Sequence, residues 1–172
     1  TSIQLVVETL IDRLEPPMKT WVERLLPETQ RLIQLVQDWL ELTHLEANRS
    51  IPTETVELKP LIESVWRTLE PLAAQKQVRL SYSQPKPLYV EGDDSRLYRV
   101  FLNLLDNAVK YSDGPPCIRM ATTNDRDRIR IVIADRGIGI PAAQQAAVFD
   151  RFYQADASTT RSGEGTGIGL AF

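Results

Sequence analysis

Apolar residues recur at helical spacing through the first 47 residues, a segment without glycine. In residues 3–14 they lie three or four positions apart, and the pattern stops at Pro16. From Val22 to Thr43 the same spacing forms a broad stripe, typical of a helix buried in a bundle, in which Pro27 should start a turn or a kink. The pattern predicts a hairpin of two helices. Because one hairpin buries so wide a stripe poorly, a second copy is its expected partner.

Strand and helix patterns alternate after a polar linker at residues 48–52. The predicted strands are residues 53–58, 78–83, 88–90, 117–122 and 128–134. One predicted helix runs from Pro60 to about residue 75, and the other runs from a cap at 93–95 to about residue 111. The last two strands form an antiparallel pair. Helices on one side of a mostly antiparallel sheet make an α+β sandwich. We therefore divide the chain into a helical segment 1–47, the linker, and a second domain over residues 53–172.

Composition narrows the class of protein without identifying it. The 172 residues are 42% hydrophobic and 25% charged, which is typical of a globular protein, and a net charge of -3 argues against nucleic-acid binding. No apolar run approaches the length of a membrane span, and the single cysteine, Cys117, is expected in a strand as a small hydrophobic residue in a reducing compartment. These features predict a soluble, cytoplasmic segment.

Glycine is concentrated near the end of the chain, where six of the eight glycines fall within residues 137–169. They form two clusters, at 135–139 and 163–169, and neither has the spacing of a P-loop or of a Rossmann dinucleotide fingerprint. Glycine lets a backbone approach a ligand and turn its N–H groups to phosphate, and a helix beginning after Gly167 would add an anion site. Loops also collect glycine for structural reasons, so the clusters alone are weak support.

The predicted helix after residue 93 has two unlike faces. Its apolar side is Leu97, Phe101, Leu104 and Ala108, with Val100 and Leu105 at the edges. Asn103, Asn107 and Lys110 fall on the other side, where amide oxygens can ligate Mg²⁺ and an ammonium group can neutralise phosphate. An ordinary solvated face is the alternative. Asp135 is similarly open to two interpretations, since it can accept from an exocyclic amine or simply form an Asx turn.

Four segments in order, 103–112, 135–139, 149–152 and 163–170, resemble the N, G1, F and G2 boxes of sensor histidine kinases. Residues 1–47 resemble the dimerisation hairpin of the same family. The resemblance implies an ATP-binding sandwich of the gyrase, chaperone and histidine kinase type, an α+β fold, preceded by a hairpin that pairs into a dimeric four-helix bundle. It implies ATP and Mg²⁺ as cofactors.

The resemblance also implies roles for individual residues. Asn107 would ligate Mg²⁺ with Asn103 nearby, Lys110 would contact phosphate, Tyr111 would lie against adenine, and Asp135 would accept from the adenine amino group. The first glycine cluster would contact the base through Gly137 and Gly139. Phe149 and Phe152 would anchor a lid over residues 154–164, and Arg161 on that lid would reach the γ-phosphate. The contacts along the phosphates would come from Gly163, Gly165, Thr166, Gly167, Gly169 and Leu170.

The implied activity is transfer of the γ-phosphoryl group of ATP to a histidine, for relay to an aspartate of a response regulator. Related ATPases carry a water-activating glutamate where this chain has Asn103, which cannot act as a base, so kinase chemistry is favoured over hydrolysis. A nucleotide-binding scaffold without catalysis is a third reading.

The chain itself holds no expected catalytic residue. The acceptor histidine is expected just before Thr1, His44 is expected to be structural or exposed, and the closing strands of the domain are expected beyond Phe172. On this view the segment alone is not competent for autophosphorylation. The expected partners are a second copy of the hairpin and a response-regulator receiver domain, which should dock near residues 5–14. Nucleic acid is not expected as a partner. Attachment to a membrane is expected only through a sensor segment outside this sequence.

Overall fold

The computed structural model describes residues 16–47, 53–84, 86–112, 117–125, 128–154 and 167–171. Its first element is a long helix, α1 (Pro16–Ala47). Proline is tolerated in a first helical turn, as at Pro16, because the missing N–H would have no partner there. Pro27 starts no turn, and that part of the prediction is wrong: the helix continues on both sides of it, giving up one backbone hydrogen bond. The predicted helix at 3–14 and the linker at 48–52 lie outside the described residues.

Most of the predicted stripe of α1 is exposed in the single chain, whereas Val22 and Leu26 are half-buried. Met18, Leu25, Leu32 and Trp39 follow one another at intervals of seven, and each exposes about 60% of its surface, between 59% and 61%. The hydroxyls of Thr29 and Thr43, on the same stripe, donate to the carbonyls of the residues four positions earlier, at 2.9 Å in both cases. Both threonine hydroxyls therefore already have a hydrogen-bond acceptor within α1, and covering them would leave neither donor without a partner. We call Met18, Leu25, Thr29, Leu32, Val36, Trp39 and Thr43 the seam.

Seven further helices and strands follow. They are β1 (Glu54–Glu57), α2 (Leu58–Gln75), β2 (Arg79–Ser83), β3 (Tyr89–Gly92), α3 (Asp94–Lys110), β4 (Cys117–Asp125) and β5 (Arg128–Ala134), and two short 3₁₀ turns (Ala142–Gln144 and Ala147–Phe149) come after them. Every predicted strand and helix of this part is confirmed to within three residues at its ends.

The strands form two small sheets. β1 pairs with β3 in antiparallel register from Glu54 opposite Gly92 to Glu57 opposite Tyr89. In the second sheet β4 is central, parallel to β2 and antiparallel to β5. Two of the three strand pairings are antiparallel, as expected, and the α+β class is confirmed.

The core lies between the two helices and the strands. α2 and α3 pack against each other, α2 also packs on β1 and β2, and α3 packs on β5. The Thr68 hydroxyl of α2 and the Tyr98 hydroxyl of α3 form a hydrogen bond of 2.7 Å across the helix interface. The largest fully buried side chains are Leu58, Ile62, Val65, Leu105, Val109, Ile118, Met120 and Ile168.

Two sequence expectations about burial are wrong. Leu104 is exposed, whereas Leu105 and Val109 are fully buried, because the contacts with α2 and β5 turn the buried arc of α3 away from Leu104. Cys117 does begin a strand, but it is exposed rather than buried, since it stands at the strand's first position. Among the described segments, no helix has both the length and the apolar composition to cross a bilayer.

Candidate functional site

The N-terminus of α3 is fixed by its own sequence. Asp93 has extended backbone angles, and its carboxylate accepts a hydrogen bond of 3.0 Å from the Arg96 amide, the geometry of an N-cap. The cap and the buried arc together fix the rotation of the helix. Asn103, Asn107 and Lys110 are consequently half-buried on the side away from the core.

Two apolar side chains flank the amides on this outer side. Val100 and Leu104 expose 39% and 36% of their surface and lie three or four positions from Asn103 and Asn107. The outer face of α3 is therefore mixed, with amide groups beside aliphatic ones. A fully solvated face would need no such aliphatic residues, whereas a face that covers a partly apolar ligand would use them.

Asn103 connects α3 to the second glycine cluster. Its amide nitrogen donates to the Gly169 carbonyl at 2.9 Å, between residues 66 positions apart. A β-carbon placed on Gly169 would lie 3.4 Å from the amide carbon of Asn103, so the glycine lets the backbone and the amide lie side by side. With the nitrogen committed to the carbonyl, the oxygen of Asn103 remains the acceptor on that side chain.

Lys110 is paired within its own helix. Its ammonium group lies 2.6 Å from the Asp106 carboxylate, one turn earlier, and both side chains are about one-third exposed or less, at 31% and 26%. Sequence reasoning did not single out Asp106, although an i, i+4 spacing of opposite charges was a signal for this pair. A phosphate contact by Lys110 therefore requires the ammonium group to share or leave Asp106.

The C-terminus of α3 meets the first glycine cluster. The Gly137 amide donates to the Asp135 carboxylate at 2.8 Å, and the Ile138 amide donates to the Tyr111 carbonyl at 3.2 Å. Ser112 and Gly137 add an isolated antiparallel bridge. Asp135 thus forms the Asx turn that the sequence allowed, using one carboxylate oxygen. The side chain is exposed, so the other oxygen can still serve a ligand.

The flanks of the segment 155–166 lie against each other. Phe152 and Gly167 both adopt left-handed backbone angles, with φ of 63° and 69°. A β-carbon on Gly167 would lie 2.8 Å from the carbonyl carbon of Phe152, so only glycine fits this approach. The rings of Phe149 and Phe152 are exposed, at 63% and 58%. The backbone at Phe152, not its ring, therefore makes the contact between the flanks.

The structure brings some predicted site residues together and is silent on others. Asn103 meets Gly169, and Tyr111 meets the turn at Asp135 to Gly137. Gly139 has a φ of 72° and open space beside it, and Leu170 is half-buried. The remaining predicted residues, Arg161, Gly163, Gly165 and Thr166, lie outside the described residues. His44 belongs to α1, but its side chain also lies outside them.

The outer face of α3, the turn at Asp135 and the turn at Gly169 together make a candidate binding surface, which we call the groove. Its donors are suited to a magnesium–nucleotide complex. Mg²⁺ bound to nucleotides takes few protein ligands and fills its shell with phosphate oxygens and water, so one amide oxygen from Asn107 suits that role. Exposed Val100, Leu104 and Tyr111 offer apolar surface beside these polar groups.

Comparisons with known proteins show what the chain is similar to. A family described as histidine kinase-, DNA gyrase B- and HSP90-like ATPase matches residues 92–172. The sensor protein SphS of Synechococcus elongatus is 42% identical over 99% of this chain, which spans 43% of the length of SphS. A solved mycobacterial sensor histidine kinase, MprB, is 32% identical with a TM-score of 0.58, covering 69% of this chain and 74% of that one.

A second solved structure extends the likeness in fold to more of the chain. It holds the histidine kinase ThkA in complex with the response regulator protein TrrA, and it matches with a TM-score of 0.66 at 21% identity. The match covers 87% of this chain and 46% of that one.

Proposed function

The chain belongs to the histidine kinase family, and on that premise we propose that it binds Mg-ATP in the groove along α3 and serves as the ATP-binding part of a two-component sensor. The observation that carries this proposal is the meeting of two distant segments at one helix. Asn103 holds the Gly169 turn, and the end of the same helix holds the turn at Asp135. These two contacts support the proposal that groups near Gly169 bind the phosphates and that groups near Asp135 bind the base.

Each side of the groove has a proposed task. Asn107 ligates Mg²⁺, whose charge would offset that of the phosphates, and Lys110 adds a second positive charge near them. Asp135 accepts from the adenine amino group through the oxygen that the Asx turn leaves over, with Tyr111 and the turn at Gly137 and Gly139 against the base. Arg161, Gly163, Gly165 and Thr166 contribute to the phosphate contacts, together with Gly167, Gly169 and Leu170, and Phe152 supports the flank.

The proposed reaction is transfer of the γ-phosphoryl group to an imidazole nitrogen. A bond forms between that nitrogen and the γ-phosphorus while the bond from phosphorus to the bridging oxygen breaks, and ADP leaves. An imidazole is partly unprotonated near neutral pH, so it needs no strong base. The chain fits this requirement, because the neutral amide of Asn103 can accept a hydrogen bond from water but is too weak a base to remove its proton. Positioning and charge neutralisation then supply the catalysis.

The proposed organisation has two parts. Residues 1–47 belong to a dimerisation hairpin, residues 48–52 to a linker, and residues 53–172 to the ATP-binding domain. The exposed seam on α1 supports pairing with a second copy, since its apolar residues recur at the spacing of helices that pack side by side. By analogy with the complex of ThkA, the receiver domain of a response regulator is the proposed acceptor of the phosphoryl group, and the cytoplasm the proposed compartment.

The proposal is tested with γ-labelled ATP and the protein that contains this chain together with its acceptor histidine. Label retained on protein, lost in acid and stable in base, is the expected result, because phosphohistidine has that stability. Release of free labelled phosphate without protein label would instead identify an ATP-hydrolysing relative. Binding of ATP with neither product would identify a nucleotide-binding scaffold, and absence of binding by calorimetry would overturn the assignment of the groove.

A further inference from the structure

The helix that carries the candidate site ends in a run of carbonyls that all have partners. The Ser112 hydroxyl donates to the Ala108 carbonyl at 2.5 Å. The Lys76 ammonium group donates to the carbonyls of Val109 and Lys110, at 3.5 and 2.5 Å. The Ile138 amide completes the run at Tyr111. The final carbonyls of a helix lack partners within it, so one lysine from another element satisfies two of them here.

The backbone of Lys76 is fixed before its side chain reaches across. Lys76 is the C-cap of α2, and its amide donates to the Leu72 carbonyl at 3.1 Å. The next residue, Gln77, is left-handed with a φ of 57°, and the Val78 amide returns to the Ala73 carbonyl at 2.8 Å. This closed turn directs the side chain of Lys76 away from its own helix and to the end of α3.

The carbonyl of Tyr111, the next one after those of Val109 and Lys110, supports the first glycine turn. Tyr111 accepts from Ile138, and a β-carbon on Gly137 would lie only 2.3 Å from the same carbonyl oxygen. A small shift of the peptide units at residues 109–111 would therefore move the turn that carries Asp135. A positive charge at a helix C-terminus also opposes fraying of the last turn, because it interacts favourably with the helix dipole.

We propose that Lys76 is a positioning residue of the nucleotide site: by holding the carbonyls of Val109 and Lys110, it fixes the Tyr111 carbonyl on which the Asp135 turn rests. Lys76 itself touches no ligand in this role. The inference rests on the proposed function, since it assumes that the groove takes ATP. It adds a determinant of affinity from α2, an element outside the four segments that resemble the histidine kinase boxes.

The test compares three variants of the 172-residue chain. In Lys76→Met the stem of the side chain remains and the ammonium group is lost, and ATP affinity by calorimetry should fall about tenfold, because the turn that carries Asp135 is no longer held in position. Lys76→Arg restores the donors and should recover most of the affinity. Lys59→Met is the matched control, because Lys59 is on the same helix, exposed, and paired only at 4.0 Å with Glu63.

A spectroscopic readout separates positioning from simple loss of stability. The amide resonance of Ile138 in the nucleotide-free protein should shift in Lys76→Met and return in Lys76→Arg, while Lys59→Met leaves it in place. Unchanged affinity or an unmoved Ile138 resonance in Lys76→Met, with normal binding by the wild type, would overturn the inference and leave the proposed function standing. A wild-type chain that does not bind ATP would overturn the proposed function, and this inference with it.

Discussion

Gly137 shows how one missing side chain determines the geometry of the site. A β-carbon there would lie 2.3 Å from the Tyr111 carbonyl oxygen and 3.0 Å from the Asp135 carboxylate. The sequence predicted glycine at a close approach in this turn, but not that the approach is made by the protein's own backbone. Contacts between residues far apart in the chain depend on how α3 is rotated, and its hydrophobic pattern fixes that rotation only approximately, as the exposure of Leu104 demonstrates.

We expect Gly137→Ala to lower the free energy of unfolding by about 1–3 kcal/mol, because the methyl group must push the turn off the end of α3. Urea unfolding measures the change. Gly139→Asn is the control, since Gly139 has open space beside it and asparagine tolerates its left-handed angles better than other side chains. Equal losses in the two variants would show that the close approach at Gly137 does not matter.

Asp135→Asn separates the two roles of that side chain. The asparagine oxygen can still accept from the Gly137 amide, so the Asx turn should persist. The charge offered to the base is lost, and ATP binding should weaken by roughly 1–3 kcal/mol, the usual effect of disturbing a charged hydrogen bond. Calorimetry measures this change. An affinity equal to that of the wild type would confine Asp135 to the turn.

At the scale of elements, the seam of α1 was the most predictable feature of the helical segment. Its spacing follows from the period of a helix, and all the seam residues are exposed, whereas Val22 of the predicted stripe is half-buried. The turn predicted as one alternative at Pro27 is absent, because the flanking turns of a long helix can hold a proline in place, and local sequence rules do not take them into account. The spacing of apolar residues along α1 predicts that the seam packs against another surface, but it does not identify that surface.

Leu32→Glu should convert a dimer into a monomer, because a carboxylate at the middle of the seam would have to be buried without a partner. Light scattering should give twice the 19.5 kDa of one chain for the wild type and a single chain mass for the variant. Gln37→Glu introduces the same charge on the same helix away from the seam and should leave the mass unchanged. A monomeric wild type would contradict the proposed pairing.

At the scale of the whole molecule, ligand binding and folding are linked, because the groove joins segments distant in the chain. ATP at a hundred times its dissociation constant should raise the free energy of unfolding by about 2.7 kcal/mol. In Asn107→Ala at the same ATP and Mg²⁺ concentrations, most of that increment should disappear, while stability without ligand changes little. Asn124→Ala, an exposed asparagine of β4, is the matched control for urea unfolding. An undiminished increment in Asn107→Ala would remove this residue from the metal site.

The close contact between Gly167 and the backbone of Phe152 has a consequence for sequence divergence. Because Gly167 lies against the backbone of Phe152, the chain leaves and returns at one point, and an insertion between these two residues need not move α3 or the turn at Asp135. Insertions between these two residues should therefore disturb folding less than a substitution of Gly167 itself, at which the flanks meet.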